Sequence, residues 1–308
     1  MRLLVTGGAG SLGTNIIEHL GDRCEAILVI DNFVTGKRAA LLPRHNLSLV
    51  EGSIVDSELV NSLFEEFEPT HVIHSAASYK DPNDWASDAS TNVLGTMNVV
   101  RASTEMEVKR FVNFQTALCY GRPSVVPIPV HQPVAPFTSY GISKSAAEMY
   151  VRGSALSWVS LRLANVTGPR LAIGPIPTFY KRLINGEACS VSTTIRDFLD
   201  MKDFLSLLEI VLDTEMVGTF NVSTGEGHSI QEIFEAVARH VGMPDAKPAA
   251  VNQPGADDVP AVVLDPSVTE SVFGWRASVS FEETIVRMLS WYDQFGVTDI
   301  YSHLQEQK

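Results

Sequence analysis

Two sets of residues in this chain have the types and spacing to do chemistry. The first is Gly7, Gly10 and Gly13, a G-x-x-G-x-x-G run inside Leu3-Leu-Val-Thr-Gly-Gly-Ala-Gly-Ser-Leu-Gly13. A turn of this kind lets backbone N–H groups approach a pyrophosphate, which then rests on the positive end of a helix starting near Ser11. Gly13 would also let that helix pack closely on the strand before it. A second strand, Ala26-Ile-Leu-Val-Ile30, ends in Asp31, close to the ~20 residues past the glycines expected of a carboxylate on an adenosine ribose. A glycine-rich loop alone means little, but one placed after a strand, before a helix and ahead of Asp31 reads as a dinucleotide site.

The second set is Tyr140-Gly-Ile-Ser-Lys144. On a helix, i and i+4 share a face, so the phenol and the ammonium would be neighbours. A phenol of ordinary pKa ~10 is a poor base at neutral pH. A lysine charge beside it, together with a cationic nicotinamide, favours the phenolate and makes it usable for proton abstraction. Read alone, the pentapeptide fits an ordinary exposed helix better; coupled to the glycine turn, it reads as catalytic.

The elements that must hold these residues alternate. Apolar strand patterns at 3–6, 26–30, 47–51, 71–74, 110–114 and 158–163 are separated by helical patterns at 57–67, 89–105 and 140–152. That alternation predicts an α/β fold, a Rossmann-type doubly wound parallel sheet covered on both faces. Residues 121–136 carry five prolines and read as an irregular loop. Beyond Asn165 the alternation stops at Gly168-Pro-Arg-Leu-Ala-Ile-Gly-Pro-Ile-Pro177. A smaller, mostly helical substrate part is expected from there, over 166–308, against a dinucleotide-binding part over 1–165 with a returning segment near 196–223. Ser229-Ile-Gln-Glu232 and Ser280-Phe-Glu-Glu283 read as capping boxes that start helices.

Composition excludes other classes. With 308 residues, 45 % hydrophobic and 19 % charged, the chain can fill one large or two modest cores. A net charge of −13 disfavours nucleic acid or an anionic membrane as partner. Cys24, Cys119 and Cys189 lack metal-ligand spacing, so no metal is expected, and they suit a reduced cytoplasm. A strand starting almost at Met1 leaves no room for a signal peptide, and no apolar run reaches the ~18 residues of a membrane span.

With these residues in view, the chain resembles the extended branch of the short-chain dehydrogenase/reductase superfamily, the nucleotide-sugar epimerases and dehydratases. The resemblance runs over nearly the whole length. Beyond the glycines and the Tyr–Lys pair it rests on Asp31-Asn32-Phe33 with Gly36, Asp56, His74-Ser-Ala-Ala77 and Asn92 to Asn98. Later come Asn165-Val-Thr-Gly-Pro-Arg170, Arg196-Asp-Phe198, Gly218 to Gly227 and Phe273-Gly-Trp275. It implies NAD as cofactor, held by Gly7, Gly10, Ser11, Leu12, Gly13, Asp31, Asn32, Ile54, Asp56, Ala76, Ala77, Asn92, Tyr140 and Lys144. It implies Thr116 as the hydroxyl that hydrogen-bonds the sugar, making Thr116, Tyr140 and Lys144 the catalytic set. Asn165 and Arg196 would hold a nucleotide diphosphate, with Arg170 and Lys181 adding charge. Lys80, Tyr79 and His131 are candidate sugar contacts that read more readily as loop residues.

Relatives that dehydrate the sugar place Asp-Glu directly after the Thr, and those that decarboxylate a uronic acid place a Glu there. Here Ala117 and Leu118 cannot move a proton, so the resemblance points to a 4-epimerase of a UDP-hexose or modified UDP-hexose. A dehydratase or reductase with another acid/base, or a non-catalytic dinucleotide sensor, are the alternatives. Two departures stand out. Gln253-Pro-Gly-Ala-Asp-Asp-Val259 lacks the Arg usual before a late G-D-hydrophobic segment. Asn113-Phe-Gln-Thr116 replaces the commoner Ser-Ser start and is similar to epimerases of bacterial surface-polysaccharide pathways. Asp31 favours NAD, while Lys37 and Arg38 leave NADP open. The resemblance also implies a homodimer through 92–105 and 143–152.

Overall fold

The computed structural model describes residues 1–255, 258–298 and 300. They form two compact units, and the chain passes between them more than once. The first unit comprises Met1–Cys119, Val134–Arg162 and Leu205–Phe220; the second comprises Tyr120–Pro133, Leu163–Phe204 and the chain from Asn221.

In the first unit β1 (Arg2–Thr6), α1 (Ser11–Leu20), β2 (Ala26–Asp31), β3 (Leu47–Glu51), α2 (Ser57–Phe67) and β4 (His71–His74) follow the expected alternation. Next come α3 (Trp85–Ser87), a π-helical stretch Asp88–Gly95, α4 (Thr96–Glu105), β5 (Arg110–Thr116), α5 (Ser139–Arg152) and β6 (Trp158–Leu163). Leu3, Leu4, Val5, Ile27 and Val29 are inaccessible because helices cover both faces of a parallel sheet. The core between the sheet and one helical layer joins Leu4, Leu28, Val72 and Phe111 to Val60 and Phe64 of α2 and Val99 of α4.

The strands run β3-β2-β1-β4-β5-β6, and a seventh, β11 (Gly218–Val222), extends the β6 edge. The order reverses between β1 and β4, the position where doubly wound sheets open a crevice at their C-terminal ends. Thr6 pairs Ile30 of β2 and His74 of β4, so the turns after all three strands open at one level.

Two elements differ from the sequence expectation. Residues 89–105 do not form one regular helix; the wider π-helical turn ends at Gly95, where a Cβ would lie 2.6 Å from the Ile54 side chain. There Asn92 is drawn toward Ser78 and Ser143. β5 continues past Phe114 to Thr116, because its polar residues Asn113 and Gln115 find buried partners. Residues 121–136 contain no helix or named strand; Ile128 makes an isolated bridge to Leu264.

The second unit holds β7 (Asn165–Thr167), α6 (Pro175–Ile184), β8 (Ser190–Ser192), β9 (Ile195–Arg196), β10 (Phe198–Asp200) and the start of α7 (Met201–Asp213). After β11 come β12 (His228–Ser229), α8 (Ile230–His240), β13 (Ala250–Asn252), β14 (Ala261–Val262), α9 (Ser267–Phe273) and α10 (Phe281–Phe295). Its core packs α6, α8 and α10 through Phe179, Leu183, Phe234, Val237, Met288 and Tyr292. Ser229 and Glu232 complete their capping box; at α10 Ser280 accepts from the Glu283 amide. Among the described residues no helix is long and apolar enough to cross a membrane.

Candidate active site

The glycine turn is built from close backbone approach. Gly7 has φ +67°, and a Cβ there would stand 2.7 Å from Ala76 Cα, across the point where the strand order reverses. A Cβ at Gly13 would lie 2.5 Å from Gly8 Cα, so α1 sits directly on the turn. Gly10 is different: its Cβ would meet only the Gly7 oxygen, at 3.3 Å. It is the N-cap of α1, whose first turn is Ser11, Leu12 and Gly13 and which has no side-chain cap. This is a cradle with backbone where side chains would intrude, and it fits a pyrophosphate at a helix N-terminus.

Asp31 ties the end of β2 to that turn. One carboxylate oxygen accepts the Ala9 amide and the other the Phe33 amide, each at 2.8 Å. Burial pushes the carboxyl up, and the two amides oppose the shift. A carboxylate has about four acceptor sites, so capacity remains for a ribose diol. Asn32 is exposed and accepts from Val34 N–H. Arg38 pairs with Glu51 at 2.7 Å and lies over the Phe33 ring. Asn98 donates to the carbonyls of Ile54 and Val55, fixing the loop that carries Ile54 and Asp56. Asp56 itself caps α2 by accepting from Leu59.

A line of buried hydrogen bonds runs from the sheet toward α5. The Ala76 amide donates to Thr6 Oγ1, which is 2.8 Å from His74 Nδ1. His74 Nε2 is 2.8 Å from Thr96 Oγ1, which donates to the Asn92 carbonyl. The Asn92 amide accepts from Ser78 N–H and donates to the Ser78 carbonyl and to Ser143 Oγ, while Ser143 donates to the Tyr140 carbonyl. Burial, then the Lys144 charge, pushes His74 down to about 3, so the ring is neutral.

Tyr140 and Lys144 lie one turn apart on α5, whose N-cap is Thr138. Lys144 is buried, and burial lowers it to about 8, opposed by Glu148 one turn further on. Burial raises Tyr140 above the ordinary phenol value, and Tyr79, 6.0 Å away ring to ring, and Asp88 add to the rise. All three causes favour the neutral phenol over the phenolate. Thr116, at the end of β5, accepts the Leu118 amide on Oγ1, which leaves its hydroxyl proton to donate.

All the expected cofactor residues, Lys80, and the set Thr116, Tyr140 and Lys144 belong to the first unit; Asn165, Arg170 and Arg196 belong to the second. Lys80 is exposed, as is His131. Asn165 donates from backbone and side chain to the Asp197 carbonyl. The Asp197 carboxyl, raised by burial to about 6, holds the backbone of Thr224 and Gly225. Arg196 donates to the carbonyls of Ile195 and Val259 and is paired with Asp258. Asp258 lies in the segment without the usual Arg; Ala256 and Asp257 of that segment fall outside the described residues. Arg170 has a left-handed backbone, φ +66°.

Several residues of the site went unread in the sequence. Gln115, Glu148 and Arg162 are buried polar groups on elements that otherwise read as apolar or exposed, and Asp88 is buried beside Ser139. The one available signal was polar Asn113 and Gln115 alternating within an apolar strand, since buried polar side chains require partners.

Residues 3–223 match the family described as the NAD dependent epimerase/dehydratase family. The chain is 60 % identical to the Bordetella bronchiseptica enzyme WbmG, solved in complex with NAD and UDP, with a TM-score of 0.93 over 99 % of this chain and 98 % of that one. It is 41 % identical to WbmH of the same organism, solved with NAD+, with a TM-score of 0.91 over 96 % and 99 % of the two chains. It is 28 % identical to a UDP-glucose 4-epimerase of Thermotoga maritima, solved with UDP-glucose, with a TM-score of 0.87 over 96 % and 99 %.

Proposed function

The chain belongs to the NAD-dependent epimerase/dehydratase family, and we propose that it inverts C4 of a UDP-hexose or modified UDP-hexose through a 4-keto intermediate, with NAD as cofactor. The observation that carries this reading is the composition of the reacting end of β5 and α5. Thr116, Tyr140 and Lys144 are present, while Ala117 and Leu118 supply no further acid or base. Redox at C4 needs nothing more. The relatives solved with UDP and with UDP-glucose support uridine as the base.

NAD, when bound, supplies the hydride acceptor and donor. Gly7, Gly10, Ser11, Leu12 and Gly13 cradle its pyrophosphate and Asp31 a ribose; Asn32, Ile54, Asp56, Ala76, Ala77 and Asn92 line the remainder. Tyr140 accepts the C4 hydroxyl proton and returns it, Lys144 stabilises the phenolate, and the Thr116 hydroxyl fixes the same oxygen. The 4-keto sugar turns about its pyrophosphate linkage and presents its other face. Residues 1–165, with the segment near 196–223, are assigned to the cofactor and 166–308 to the sugar nucleotide. Asn165, Arg170 and Arg196 hold the diphosphate and Lys80 a sugar hydroxyl; the forked guanidinium of Arg196 must exchange Asp258 for phosphate. The active form is a homodimer joined through 92–105 and α5, where Leu94, Ile142, Met149 and Tyr150 are exposed. A cytoplasmic place suits the three buried free thiols, and a role in polysaccharide synthesis is supported by the Asn113-Phe-Gln-Thr116 segment.

The test is incubation with UDP-, dTDP-, CDP- and GDP-sugars, read by mass spectrometry and proton NMR. An isomer of unchanged mass with altered C4 proton coupling and no net NADH is expected, and Tyr140→Phe should abolish it while retaining NAD. Loss of a water, or full activity in Tyr140→Phe, would overturn the reading.

A further inference from the structure

Asn113-Phe-Gln-Thr116 stands where Ser-Ser is commoner, and 4-epimerisation at Thr116, Tyr140 and Lys144 does not by itself explain it. Gln115 is 2 % exposed, and both ends of its amide are used. Nε2 donates to the Lys144 carbonyl at 2.8 Å, and Oε1 accepts the Thr116 amide at 2.8 Å. One amide thus connects the strand end that carries the hydroxyl to the helical turn that carries the ammonium. A serine has neither the reach nor the second polar atom to do this.

Asn113, two residues earlier and so on the same face of β5, makes a parallel link. Its Nδ2 donates to Ser160 Oγ at 3.0 Å, and Ser160 donates to Glu148 Oε1 at 2.6 Å. Glu148, one turn beyond Lys144, also pairs with buried Arg162 at 2.7 Å. The longer amides at 113 and 115 therefore clamp α5 to the sheet at two successive turns.

We propose that Gln115 is a positioning residue, whose amide sets the separation between the Thr116 hydroxyl and the Tyr140–Lys144 face of α5. The assignment rests on the epimerase reading for the roles of those three residues. Thr116 and Tyr140 stand on different elements and must meet one sugar oxygen together, so their separation has to be held by a bridge. Misplacement of about 1 Å can cost ~100-fold in rate.

Gln115→Met preserves length and volume and removes both hydrogen bonds. It should retain NAD and lower kcat by about 10- to 100-fold, with KM for the UDP-hexose within about twofold. Gln115→Glu adds a readout that a merely structural role would not move. The introduced carboxylate still accepts from Thr116, but it can donate to the Lys144 carbonyl only when protonated. Its activity relative to wild type should therefore rise as pH falls from 8 to 5. A kcat for Gln115→Met within twofold of wild type, or a Gln115→Glu ratio flat with pH, would overturn the proposal. If the wild type turns over no UDP-hexose, the reaction assignment fails instead. The clasp is then read from threonine-selective 15N spectra of Gln115→Glu, where the Thr116 amide should titrate with the new carboxyl; an unmoved resonance would remove the clasp.

Discussion

Lys144 and Tyr140 are pushed in opposite directions by one cause. Burial penalises the charged form of each, lowering the ammonium to about 8 and raising the phenol. In the proposed mechanism the lysine contributes only while charged, and above its pKa in the folded protein that charge is lost. Turnover should therefore fall as pH rises past about 8, and Lys144→Arg, slower overall, should lack this alkaline limb because a guanidinium does not discharge there. Initial rates from pH 6 to 10 with saturating NAD would check it; an identical alkaline limb in the arginine variant would assign the titration to another group. The pair was legible because i, i+4 spacing is a sequence property. Gln115 was not, because one of its partners is a backbone carbonyl 29 positions along the chain, and a carbonyl carries no residue identity.

At the scale of elements, strands and helices around the cofactor cradle were legible from periodicity and caps. The π-helical stretch was not, since its cause is tertiary: Asn92 held by Ser78 and Ser143, and Gly95 pressed on Ile54. His74 joins three of these elements, bridging Thr6 of β1 to Thr96 of α4 from its place in β4. Its pKa drops from 6.5 to about 3, so the unfolded chain takes up a proton that the folded chain refuses. The stabilisation is present above pH 6.5 and is lost as pH falls toward 3, a total on the order of 5 kcal/mol. His74→Asn abolishes the titration. Its deficit in urea midpoint relative to wild type should narrow between pH 7.5 and 5, and a deficit constant with pH would mean that His74 does not carry this linkage.

At the scale of the molecule, composition and alternation made the sheet legible but gave no sign of which unit each loop joins. Tyr120–Pro133 belongs to the second unit through contacts that no local pattern encodes. The proposed dimer follows a similar logic, for it would depend on which faces remain uncovered. On α5 Lys144 is buried, while Ile142 and Met149 are 52 % and 62 % exposed, with Leu94 exposed on the stretch before α4. Each subunit carries −13, so association must overcome like-charge repulsion, and added salt should tighten it by screening. Sedimentation of the wild type should give twice the 33.6 kDa chain mass, more completely at 0.5 M than at about 0.02 M salt. Met149→Glu places a charge in the apolar patch and should sediment at 33.6 kDa under both conditions. A wild type that stays at the chain mass at high protein concentration would end the dimer reading. A Met149→Glu protein that remains dimeric would move the interface off α5, and with it any coupling between assembly and the helix that holds Tyr140 and Lys144.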